Sequence, residues 1–144
     1  MGEVFILVPG DPFGKQSVRV SSRGGFARKY MPKATVEYEA HCANEAALSM
    51  NGMKPFSGAV ELKVQMFFPI PKSWSKKKRE QALLGRIVPT KKPDSSNVLK
   101  SIEDGFTGVV WEDDCQVVDH HLTKRFAEEP CVIAIVTELD LIAC

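Results

Sequence analysis

The chain has 144 residues, of which 44% are hydrophobic and 26% charged, with a formal net charge of +1. That profile fits one globular α+β domain over 1–144 and excludes a disordered polyelectrolyte. The longest apolar runs, Val4 to Val8 and Val132 to Val136, are too short to span a bilayer. The first residues show neither a basic stretch nor a small-residue cleavage site, so a cytoplasmic protein with no membrane contact is expected.

In chain order, residues 3–8 are apolar and β-prone and read as a buried strand, ended by Pro9-Gly10-Asp11-Pro12. Residues 13–31 are rich in Gly, Ser and Arg, a basic loop or loose hairpin turning near Arg23-Gly24-Gly25. Pro32 and Thr35 open a helix over 34–50, in which Val36, Ala40, Ala43, Ala47 and Met50 recur at helical spacing; Asn51-Gly52 ends it. Over 58–69, Val60, Leu62, Val64 and Met66 alternate with Glu61, Lys63 and Gln65, the pattern of a half-buried strand. Ser73 and Ser75 are N-cap candidates for a short basic helix ending near Gly85. A connector over 86–93 leads to a helix over 95–105 with Asp94 as N-cap, and strands over 115–126 and 130–139 follow. Strands and helices do not alternate strictly, so a small mixed sheet with packed helices is expected rather than a doubly wound fold.

The small net charge conceals segregation. Two basic stretches, Lys15–Lys33 and Lys72–Lys92, precede an acidic one, Asp94–Asp119. Within the first two, Lys15, Arg19, Arg28, Lys29, Lys76, Lys77, Lys78 and Arg79 are candidate phosphate contacts, while the third can hold cations. The bland alternative is that each run is a solvated surface. Cys42, Cys115, Cys131 and Cys144 form no C-x-x-C pair, which speaks against a zinc site. His41, His120 and His121 lack ligand spacing, although His120 can face the same side as Asp114.

The richest stretch runs from Lys92 to Asp104. With Asp94 at zero on a helical wheel, Asn97, Lys100 and Asp104 fall at about 300°, 240° and 280°. Val98, Leu99, Ile102 and Phe106 fall between about 40° and 140°, an oily face. An ordinary capped helix with a Lys100–Asp104 i,i+4 pair gives the same pattern. The following Glu112-Asp113-Asp114 adds a reason to look further, since clustered carboxylates repel one another and favour a cation. Oxygen ligands suit magnesium or manganese. Asp94, Asp104 and one of the acids at 112–114 can converge if the next strand starts beside the helix. Lys100 then either stabilises negative charge on a reacting phosphodiester or balances the acids.

Lys92-Pro93-Asp94-x-x-Asn97-x-x-Lys100-x-x-x-Asp104 followed by Trp111-x-Asp113-Asp114-x-Gln116-Val117-Val118-Asp119 resembles the RusA-type Holliday junction resolvases of phages and prophages. Val8-Pro9-Gly10-Asp11-Pro12-x-x-Lys15-Gln16, and Tyr38 after Pro32-Lys33-Ala34-Thr35, are also similar to that family. The resemblance implies a homodimeric, magnesium-dependent endodeoxyribonuclease that makes paired nicks in four-way junctions during DNA recombination and repair, without an organic cofactor. By position it makes Asp94, Lys100 and Asp114 catalytic, with Asp104 a further acid; Asp94, Asp104 and Asp114 would hold Mg2+, with Mn2+ as the alternative ion. Ser96 stands where the family often carries a second aspartate, and Asp104 is the expected substitute. Ser96, Asn97 and Asp113 are then supporting residues around the ion. Two other readings compete: a catalytically impaired module of the same fold that binds branched DNA, and an unrelated domain that binds protein.

Overall fold

The computed structural model describes residues 2–144. Its strands are β1 (Glu3–Pro9), β2 (Arg19–Ser21), β3 (Arg28–Tyr30), β4 (Val60–Pro69), β5 (Val117–Ala127) and β6 (Cys131–Glu138). Its helices are α1 (Lys33–Met50), α2 (Lys76–Leu83) and α3 (Ser95–Phe106). Four strands make one sheet in the order β1-β6-β4-β5, and β2 and β3 form a separate hairpin. The β4–β5 pairing is parallel and the pairings of β6 with β1 and β4 are antiparallel, so the sheet is mixed as expected. Among the described residues no helix is long and apolar enough to cross a membrane.

The alternation in β4 sets the inner face of the sheet. Val60, Leu62, Val64 and Met66 are fully buried, joined by Val132, Ala134 and Val136 of β6. β1 corrects the expectation of a strand buried on both faces. It lies at the sheet edge with Val4, Ile6 and Val8 inside, while Phe5 and Leu7 are 57% and 45% exposed. α3 packs the face expected of it: Val98, Ile102 and Phe106 are buried. Phe106 meets Trp111 edge to face with ring centroids 5.8 Å apart, the geometry aromatic quadrupoles prefer.

α1 shows a different face from the one its apolar spacing suggested. Thr35, Cys42, Ala46 and Met50 point inward, whereas Val36 is 52% exposed and Ala40 and Ala47 are open to solvent. Alanines on several sides give the helix little amphipathic bias, so tertiary contact decides its rotation. That contact is Gly105 of α3. A Cβ there would lie 2.6 Å from Cys42 Cβ and 2.8 Å from the Glu39 carbonyl oxygen. Gly105→Ala is therefore expected to push the two helices apart and cost about 1–3 kcal/mol, read as a lower midpoint in urea unfolding; an unchanged midpoint would mean the crossing is looser than described.

The remaining departures are local. The Arg19–Tyr30 hairpin turns through a short 3-10 segment at Arg23–Gly25, with Gly24 at φ 77°. Asn51 ends α1 in the left-handed region at φ 48°, as its side chain tolerates. Ser75 caps α2 by accepting from the Lys78 N–H. The acids before β5 form a 3-10 turn over Asp114–Gln116 where a strand from 115 was expected.

Candidate functional site

α3 and the segments around it hold nearly every residue singled out in the sequence. Asp94 takes the N-cap position in extended backbone, yet its carboxylate accepts no capping hydrogen bond. The expected cap is thus positional only, and the exposed carboxylate is left free for another partner. Asn97 and Lys100 follow on the solvent side, and Ser96 is exposed beside them.

Three clefts join along this side. The first, about 270 Å³, is lined by Val18, Met31, Asn97, Lys100 and Lys15 among others. The second, about 400 Å³, holds Asp94, Asn97, Lys15, Lys92 and Pro93. The third, about 600 Å³, is walled by aromatic and proline side chains and rimmed by Lys78, Lys91 and Lys92. Lys15 and Asn97 line both of the first two; Pro12, Lys92 and Pro93 line both of the last two. One track therefore runs from the base of the β2–β3 hairpin, past Lys100 and Asp94, to α2.

The ends of this track carry the basic segments. Arg19, Arg28 and Lys29 are exposed on the hairpin, and Lys76, Lys77 and Lys78 are exposed on α2. Arg79 is less available, since it donates to the Pro71 carbonyl at 3.4 Å. Lys15 departs further from the role expected of it. Its ammonium is bonded to the Asp104 carboxylate, in place of the Lys100–Asp104 pair that an ordinary helix surface would form. The Lys15 backbone N–H donates to the Asn97 carbonyl at 3.0 Å, which seats the N-terminal loop on α3 and aims the side chain along the helix. The hydrogen bond to Asp104 raises the Lys15 pKa, against the opposing effect of burial. A raised lysine pKa means that the pair stabilises the fold below the ordinary lysine value and weakens as pH climbs through the raised one.

The acids do not gather as one group. Asp94 and Asp104 are ten residues apart on α3, about 15 Å of axial rise. Asp114 lies at the Asp104 end, where its charge and that of Asp104 help raise the Glu103 pKa. β5 advances about 23 Å between Val117 and Lys124, and Lys124 is the residue that reaches the Asp94 end, bonding the Pro93 carbonyl at 3.0 Å. Along α3 the three acids therefore divide between the two ends of the helix, a spacing that suits two ions rather than one. Among the described residues no three carboxylate, imidazole or thiol groups stand as a ready metal cage.

The donor set nonetheless suits magnesium in a sparser form, because that ion is usually held by one or two carboxylates, with water and substrate phosphate completing its shell. Asp94 is a lone free carboxylate in its cleft. Asp104 already holds a cation, the Lys15 ammonium, and Glu103 holds His120 at 3.3 Å. Burial is the main reason the Glu103 pKa is raised, with His120 pulling it back.

Asp113 proves to be a local brace. Its carboxylate accepts from the Cys115 N–H at 3.0 Å, which lowers its pKa. Gln116 completes the turn: its side-chain oxygen accepts from the N–H groups of Glu112 and Asp113, and its amide nitrogen donates to the Phe56 and Gly58 carbonyls. The turn is thereby fixed to the start of β4, with Glu112 and Asp114 exposed on it.

Two groups escaped the sequence reading. Glu39 of α1 has a buried, unpartnered Oε2, and burial raises its pKa while Lys15 lowers it and Asp104 raises it. Lys124 donates to the carbonyls of Lys91 and Pro93, at 2.9 and 3.0 Å, and so pins the connector that carries Asp94. Glu39 gave no signal, being one acid in a helix of unclear face. Lys124 gave none either, lying in a strand to which no site role was assigned.

Two comparisons bear on this arrangement. An uncharacterized protein of Bacillus subtilis (strain 168), YqaN, is 33% identical to this chain over 138 residues, covering 92% of this chain and 94% of its own length. The family model described as Endodeoxyribonuclease RusA matches residues 9–137, a span that takes in the N-terminal loop, α3, the acidic turn and β5. The chain belongs to the RusA endodeoxyribonuclease family and has its α+β fold.

Proposed function

We propose that this protein is a structure-specific endodeoxyribonuclease that nicks four-way DNA junctions with magnesium, acting as a homodimer of one nuclease domain. The observation that carries the reading is the track that places Asp94, Asn97 and Lys100 between two exposed basic segments, in a chain of the RusA family.

The basic segments supply affinity. Lysines and arginines on the hairpin and α2 hold phosphates on either side of the site, giving salt-sensitive binding with little base reading. A junction presents bent arms that reach both segments at once, whereas a straight duplex is costly to bend to the same path. Magnesium would be held at Asp94 by one carboxylate and the substrate phosphate; a second ion at the other end of α3 would be held by Asp114, and by Asp104 once the Lys15 ammonium is displaced from it. When bound, it supplies positive charge to the phosphate oxygens as they gain negative charge. Asn97 orients the Asp94 carboxylate or a nearby water, and Lys100 meets the charge that develops on the phosphorus oxygens. Glu103 and His120 hold Asp114's surroundings in place.

The dimer rests on the face of the sheet that the helices leave open. Phe5 and Leu7 of β1 pair with Ile135 and Ile133 of β6 and form an apolar strip there. A two-fold contact across such a strip would bury it in both copies and set two active sites at a fixed spacing, as paired nicking requires.

The test is a nicking assay on a synthetic four-way junction, with and without magnesium, in excess linear duplex. Symmetric nicks that need the ion support the reading. Tight junction binding with no cleavage would instead favour the impaired-module alternative, for which Ser96 is the motivating residue. The same residue gives a gain-of-function expectation. α3 has no acid in its first turn, so Ser96→Asp adds a carboxylate two residues from Asp94 at a helix N-terminus that favours negative charge. The magnesium needed for half-maximal nicking should fall on the order of tenfold, because each added charged ligand tightens such sites. An unchanged requirement would remove Asp94 from the ion's surroundings.

A further inference from the structure

The third cleft is larger and far more aromatic than phosphate binding requires. Trp74 and Phe126 meet edge to face with centroids 5.1 Å apart, and Phe68 lies beside them in the same wall. The Lys78 ammonium sits 4.0 Å over the indole, and Lys91 and Lys92 lie on the rim. The wall is fixed from below: Lys124, 5.2 Å from the Phe68 ring, holds the Lys91 and Pro93 carbonyls. Pro12, Lys92 and Pro93 are shared with the cleft that contains Asp94, so whatever occupies one cleft continues into the other.

We infer that this aromatic groove receives an unpaired nucleobase of the strand being cut, an assignment that rests on the nuclease reading above. Aromatic faces flanked by lysines are the chemistry that binds single-stranded DNA: the rings stack bases of any sequence and the ammonium groups take the neighbouring phosphates. The lining carries three lysines, Lys78, Lys91 and Lys92, against one acid, Asp11, a balance that matches a polyanion and does not match an apolar peptide. An indole face that attracts a cation also stacks a base. On entry the base replaces the Lys78 ammonium on the ring, and the freed ammonium turns to the adjoining phosphate. In a linear duplex every base is paired and stacked, so filling the groove would require extrusion at a cost of a few kcal/mol. At a branch point a base pair lacks the continuous stacking of a duplex, so a base there unpairs and enters at a lower cost. The groove thus gives the enzyme a way to recognise branched DNA that does not depend on base sequence.

The experiment compares the intact protein with Trp74→Leu and Trp74→Phe, without divalent metal and at fixed salt. The probes are a four-way junction, a single-stranded oligonucleotide and a linear duplex, and the junction carries 2-aminopurine at the branch point. Trp74→Leu should bind the junction and the single strand about 5- to 150-fold more weakly and leave the duplex unchanged. Trp74→Phe keeps a stacking face and should retain most of the affinity. The unaltered protein should quench the 2-aminopurine on binding, a readout that needs no variant to fold. A uniform loss on all three DNAs, no loss on any, or absence of quenching overturns the assignment. If the unaltered protein shows no preference for the junction, the nuclease reading fails first and this inference with it. If the preference persists in Trp74→Leu, the groove assignment alone fails.

Discussion

Asp94→Asn is expected to slow the nicking of a bound four-way junction about a thousandfold, the equivalent of roughly 4 kcal/mol of lost transition-state stabilisation. Asparagine has the shape of aspartate without its charge, so it removes what holds a cation and little else. The fold should not suffer. Asp94 makes no capping hydrogen bond, and asparagine is as good an N-cap residue as aspartate. Junction affinity without metal should be unchanged or slightly higher, because a negative charge next to the phosphate track has gone. Single-turnover nicking with enzyme in excess, set beside a gel shift in chelator, separates the two quantities. Normal cutting by Asp94→Asn would mean that this carboxylate stands outside the chemistry, whatever the rest of the site does.

The division of the acids explains why one variant is not enough. Asp104 and Asp114 lie at the far end of α3 from Asp94, and both act on Glu103 electrostatically. The wheel sets Asp94 and Asp104 on the polar side of the helix, but a wheel discards the axial coordinate. Ten residues of rise separate two side chains that the wheel sets on one polar side, about 80° apart. Periodicity therefore made the polar face legible and hid the distance along it. The same limit applies to α1. Its alanines permit several rotations, and the close approach of Gly105 to Cys42, which fixes one, is a contact between residues far apart in sequence.

Other parts were legible because local chemistry decides them. The alternation in β4, the oily face of α3, the Ser75 cap and the Asn51 stop follow from side-chain pattern and backbone preference, and the structure shows each of them. β1 was read as a strand but not as an edge, since three buried and two exposed apolar residues look alike in sequence. Its exposed Phe5 and Leu7 make sense only once the helices are seen to cover the opposite face. The Lys15–Asp104 pair likewise joins residues 89 apart, and charge balance alone had pointed to the nearer Lys100.

That displacement has a consequence for Lys100. With Lys15 on Asp104, Lys100 has no acidic partner among the described residues, and its exposed ammonium lines the cleft with Val18 and Met31. A lysine freed from charge balance is available to a phosphate, either in the bound state or in the transition state. Lys100→Ala distinguishes the two. Alanine is the better helix former, so a loss of activity cannot be blamed on unfolding of α3. If Lys100 acts in the transition state, the nicking rate of the bound junction should fall about 10²- to 10³-fold with affinity nearly unchanged. If it only grips the substrate, affinity should fall, the dependence of log affinity on log salt should lose a slope of about 1, and the bound junction should be nicked at the normal rate. Lys100→Arg should recover part of the rate in the first case, since the charge returns on a group of different shape. We expect the first pattern, because Lys100 lies one turn from Asn97, which lines both its cleft and the adjoining one that holds Asp94, where negative charge would build. A normal rate in the bound Lys100→Ala complex would remove it from the catalytic set.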